Sequence, residues 1–97
     1  MKVIRIPIIE STTSTQGKLF NKLSQTAKEL FVVIAKLSQS AGGGISIDRI
    51  RNLNMFGTTP EIEALLYTLE ARGFGDVEVD GAETYFIGNN ILMQSVL

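Results

Sequence analysis

The sequence predicts an α+β fold, and three observations carry that prediction. Two stretches repeat apolar residues at helical spacing, Leu30-Phe31-Ile34-Leu37-Ala41 and Ile62-Leu65-Leu66-Leu69. Two short β-rich runs, Val77-Glu78-Val79 and Thr84-Tyr85-Phe86-Ile87, flank Asp80-Gly81, which reads as a hairpin. Glycine, proline and threonine sit between these segments where chain breaks are needed. The chain has 97 residues, enough for one domain with one core.

Residues 1–17 read as an extended arm and linker. Val3, Ile4, Ile6, Ile8 and Ile9 give β-branched richness, while Pro7 restricts the segment to an edge strand or arm. Ser11 to Gly17 is polar throughout and reads as a loop. A compact domain is expected at 18–88. Its first helix runs from about Thr26 to Ser40, with an extra turn or two from Lys18 allowed. Thr26 and Glu29 have capping-box spacing, and Gly42-Gly43-Gly44 ends the helix. No Lys-Ser/Thr follows those glycines, so they are not a phosphate loop.

A second helix is expected over Ile47 to Leu53. Ser46 is its N-cap, Asp48 suits the helix start, and Ile47, Ile50 and Leu53 face inward. The third helix begins at Thr58-Thr59-Pro60-Glu61, with Thr59 able to cap and Pro60 placed where a missing N–H costs nothing. Gly73 stops it. Ile34, Leu37, Ile50, Leu65, Leu69 and Phe86 are the expected core. Phe20, Phe31, Phe56, Phe74 and Tyr85 read as core aromatics rather than a base-stacking platform. Residues 89–97 form a tail too apolar for a free end in water.

This order of elements resembles the winged helix-turn-helix superfamily. Thr26 to Ser40 resembles its first helix, Gly44-Ile45-Ser46-Ile47-Asp48 its short strand entering the second, and Thr58 to Arg72 its third. Leu65-Leu66-Tyr67-Thr68-Leu69-Glu70-Ala71-Arg72-Gly73-Phe74 resembles the L-x-x-L-E-x-R-G-hydrophobic stretch leading into the wing, with Val77 to Ile87 as the wing. The resemblance implies a three-helix core with a β-hairpin wing and a place in DNA replication or transcription. In DNA-reading members the third helix enters the major groove and the wing follows the backbone.

Charge departs from that DNA-reading pattern. Residues 1–52 balance at +5, whereas residues 53–97 carry Arg72 alone against seven carboxylates. The third helix has Glu61, Glu63 and Glu70, and the wing has Asp76, Glu78, Asp80 and Glu83 with no Lys or Arg. Phosphate would meet like charge there. Nucleic acid is therefore expected to bind weakly by the usual recognition-helix mode. The residues able to touch DNA or an acidic partner are Lys28, Lys36, Arg49, Arg51, Asn52, Thr58 and Thr59; solvated or capping roles are the alternative. Ile4, Ile6, Ile8, Ile91, Leu92 and Met93 are candidate protein-interface residues, for self-association as a homodimer or for another protein. Folding back on their own domain is the alternative.

With no His and no Cys, the commonest general base, thiol nucleophiles and thiolate metal sites are absent. Glu61 and Glu63 point to different helix faces and make no acid/base pair. Asp76, Glu78 and Asp80 can share one strand face but lack calcium-loop spacing. The longest apolar run, Leu30 to Ala35, is too short to span a membrane, and no secretory leader is recognised. The expectation is a cytoplasmic, non-enzymatic module without cofactor or metal. It would work as a protein-interaction or accessory subunit of replication or transcription machinery, or alternatively as a winged-helix DNA-binding regulator.

Overall fold

A computed structural model describes residues 19–41 and 43–97. The arm, with Ile4, Ile6 and Ile8, lies outside the described residues. The fold is α+β. In chain order the elements are α1 (Gln25–Ala41), β1 (Ile45–Ser46), α2 (Ile47–Arg51), α3 (Thr59–Ala71), β2 (Gly75–Asp80), β3 (Glu83–Gly88) and α4 (Asn90–Val96). The three strands form one antiparallel sheet in the order β1-β3-β2.

Helix α1 is capped by Ser24, not by the expected pair of Thr26 and Glu29. Ser24 Oγ accepts from the Ala27 N–H at 3.2 Å, and its carbonyl accepts from the Lys28 N–H at 2.9 Å. That cap moves the start earlier and leaves Thr26 in the first turn. Glu29 instead accepts from the Gln25 side-chain amide at 3.2 Å. Residues 19–21 are helical but separate, because a turn at residues 22–24 interrupts the helix before Gln25. Ala27, Leu30, Phe31, Ile34 and Ala35 are buried, at the i, i+3, i+4, i+7, i+8 spacing of one helix face.

Ser46 caps α2 as expected, accepting from the Arg49 N–H at 3.2 Å. The helix stops at Arg51, so Leu53 falls in the following turn and is 37% exposed rather than core. Thr58, not Thr59, caps α3. Glu61 reaches back to accept from the Thr58 N–H at 3.0 Å and its hydroxyl at 2.9 Å. Ile62, Leu66 and Leu69 face the core, while Leu65 is only half-buried, as is Leu37 on α1. The far end of α3 closes on Gly73 at φ +84°. The Gly73 N–H bonds Glu70 O at 3.0 Å and the Phe74 N–H bonds Leu69 O at 2.9 Å, a Schellman cap that turns Phe74 inward.

In the hairpin Asp80 pairs with Glu83, so the turn is Gly81-Ala82 rather than Asp80-Gly81. Gly81 takes the left-handed φ of +63° that the first turn residue requires. At the hairpin's base, a side chain on Gly75 would collide with the Phe86 ring, so glycine lets that ring lie across β2. The 89–97 segment is no tail. Asn89 caps α4, accepting from the Leu92 N–H at 3.1 Å, and α4 packs on α1.

Ten large side chains are less than 2% exposed: Leu30, Phe31, Ile34, Ile45, Ile50, Ile62, Leu66, Leu69, Phe74 and Phe86. Phe31 and Phe74 meet edge to face at 5.0 Å and join α1 to the entry of the sheet. Phe56 is buried too, while Phe20 and Tyr85 are half-buried at the margin. Among the described residues no helix is long and apolar enough to cross a membrane.

Candidate interaction surfaces

The acidic surface is built from the start of α3 and the hairpin. Alternation along β2 puts Asp76, Glu78 and Asp80 on one face, with Ile87, Tyr85 and Glu83 opposite them on β3. The other face carries Val77 and Val79, opposite Phe86 and Thr84. Phe86 is buried, so the carboxylates point away from the core. All four hairpin carboxylates are exposed. Glu83 accepts a short hydrogen bond from the Tyr85 hydroxyl. That bond, reinforced by the negative charge of Glu83 and then by weak desolvation and the charge of Asp80, pushes the Tyr85 phenol above its ordinary value.

A cleft of about 140 Å³ lies between the starts of α2 and α3 and the hairpin turn. Ser46, Asp48, Thr59, Glu63, Glu83 and Thr84 line it. Three carboxylates around one cleft repel a phosphate group. Glu61 faces another side of the α3 start, where bonds from the Thr58 backbone N–H and then hydroxyl hold its carboxyl below the usual range. Among the described residues no three carboxylates converge as a metal site.

The basic residues are dispersed. Arg51 braces α2 against α3: it lies 3.4 Å from Asp48 and donates to Thr59 Oγ1 at 3.2 Å. Among the described residues this is the one ion pair. Lys28 is half-buried, its ammonium 5.9 Å from the centre of the Phe20 ring. Lys36 and Arg49 are exposed, and so is Asn52, which closes α2 through its N–H to Asp48 O at 3.0 Å. Of the residues singled out for DNA or an acidic partner, Arg51 and Thr59 are thus engaged in holding α2 and α3 together, and Thr58 in capping α3.

Of the apolar candidates, Leu92 is 8% exposed and Met93 half-buried against Gly88, so both are used largely within the fold. Packing on α1 claims them because one face of a short helix can bury only what its neighbour covers. Ile91 stays 67% exposed. Sequence reasoning missed a second apolar area, an open groove of about 350 Å³ lined mainly by Phe20, Val32, Val33 and Met55. Its signal was the Val32-Val33 pair, which widens the α1 stripe beyond one face. It also missed Glu70, whose carboxylate accepts from the Val77 N–H at 2.8 Å and ties the end of α3 to β2. The chain matches no protein-family model, no curated protein and no solved structure.

Proposed function

We propose that this chain is a small non-enzymatic protein-interaction module of winged-helix type, serving as an accessory subunit of DNA replication or transcription machinery. The order helix, short strand, short helix, longer helix, hairpin supports the winged-helix part of the reading. So does pairing of the short strand with the second hairpin strand, Ile45 to Phe86 and Ser46 to Tyr85. The place in replication or transcription rests on the sequence resemblance alone.

One observation carries the choice of protein over DNA. The two elements that meet DNA in DNA-reading members carry exposed Glu61, Glu63, Asp76, Glu78, Asp80 and Glu83 here, with Arg72 the lone cation across residues 53–97. Duplex affinity comes largely from neutralising phosphates, and this surface supplies the opposite sign. Titration with random duplex DNA at rising salt tests the reading. The expected result is no binding at low salt, and binding that appears when Glu78 and Glu83 are both replaced by Lys. A native chain whose affinity falls steeply with salt would instead be a DNA-binding regulator.

A further inference from the structure

We infer that the open edge of β2 over Glu78 to Asp80 is a docking site for an extended segment of a partner protein whose side chains alternate between basic and apolar. The inference deepens the protein-interaction reading and rests on it. Strand β2 is an edge strand, with β3 on one side only. Val77 turns its N–H away from β3, to Glu70 at 2.8 Å. In an antiparallel ladder the direction of these groups alternates with every residue, so Val79 presents its N–H and carbonyl to the same open side. The Glu70 carboxylate stands where the carbonyl of another strand would stand, and it covers the edge at Val77 only. Among the described residues nothing bonds the Val79 N–H.

The side chains around this edge select the occupant. Val79 is 64% exposed beside half-buried Val77, so inward-pointing residues of an added strand meet apolar surface. Outward-pointing residues meet the row of Asp76, Glu78 and Asp80, with Glu83 across the hairpin. No Lys or Arg occurs anywhere in residues 73–97 to neutralise that row. Charges on an edge normally prevent strand pairing, and like charges directly opposed disfavour it. Two copies pairing β2 to β2 would set these carboxylates against each other, and an acidic strand would fare no better. A basic and apolar strand converts the same repulsion into selection.

Peptides of alternating lysine and valine, and of alternating glutamate and valine, added to the full isotope-labelled chain test this. The lysine peptide should shift the backbone amides of Glu78, Val79 and Asp80, with affinity falling about tenfold as salt screens the exposed charges. The glutamate peptide should shift none. Val79→Pro removes an N–H that faces the open side, so it costs the β2–β3 ladder no bond and should abolish peptide binding with the fold intact. Replacing Glu78 and Asp80 together by Lys should reverse the peptide preference, a readout that survives if the proline variant unfolds. Absent shifts, shifts confined to other elements, or an unreversed preference would overturn the docking site. Salt-sensitive duplex binding alongside peptide binding at this edge would overturn the function proposed above and leave the edge standing.

Discussion

Helix α3 and the β2–β3 hairpin follow one another directly and are both acidic, yet they use their side chains in different ways. Every apolar residue on the core face of α3, Ile62, Leu66 and Leu69, is fully covered by protein. In the hairpin only Phe86 is fully covered, while Val79 and Ile87 remain 64% and 45% exposed. The carboxylates differ in the same sense. Glu61 and Glu70 are spent on backbone N–H groups at the two ends of α3, whereas Asp76, Glu78 and Asp80 stand on the outer strand face. Burial is therefore concentrated in the helices and the base of the sheet, and the far half of the hairpin stays exposed. A hairpin alone is marginal in water, so its base must be held by the core for its tip to be spared.

The largest expected effect separates the two regions outright. Leu66→Ala should cost about 2–5 kcal/mol, the range for truncating a fully buried leucine, whereas Val79→Ala should stay within about 0.5 kcal/mol. Denaturant midpoints of the two variants measure the difference. Equal losses would mean that the hairpin tip is as integral to the core as α3.

A smaller effect is expected where the regions join. Glu70→Ala should cost about 1 kcal/mol by releasing the Val77 N–H from a charged acceptor. Hydrogen exchange at Val77 should then quicken while Leu69 and Phe86 stay protected. Unchanged exchange at Val77 would show that another group holds that edge.

The smallest effect belongs to the α3 start and depends on pH. The carboxyl of Glu61 is held below its unfolded value by Thr58, so its contribution is present above the unfolded value and is lost as pH falls through the folded one. Glu61→Gln should lower the melting temperature slightly at neutral pH, and the gap to the native chain should close in acid. A gap that persists at low pH would assign the effect to helix propensity rather than to charge.

Much of the fold was legible in sequence because it depends on neighbours a few residues apart. Leu30, Phe31 and Ile34, or Ile62, Leu66 and Leu69, declare a helix face by spacing alone, and Gly73 and Gly81 mark stops that need a left-handed backbone. Caps were harder. Ser24 and Thr26 both fit the start of α1, and Thr58 and Thr59 both fit the start of α3. In each pair the residue one or two places earlier won, once its oxygens met the N–H groups of the first turn or the Glu61 carboxylate. For the candidate surfaces, the acidic row of the hairpin could be read from alternation, but the engagement of Arg51 with Thr59 could not.

The sequence by itself determined the α+β class, the order of elements from α1 to β3 and the opposite charge of its two halves, since all three follow from local pattern and composition. Only the tertiary structure decided that the apolar C-terminal residues form α4 on α1, that Leu53 and Met55 stay at the surface, and that Glu70 closes half of the β2 edge. These outcomes depend on which faces meet in space. A residue's own neighbours along the chain fix its backbone preference, but its burial is fixed by segments far away in sequence.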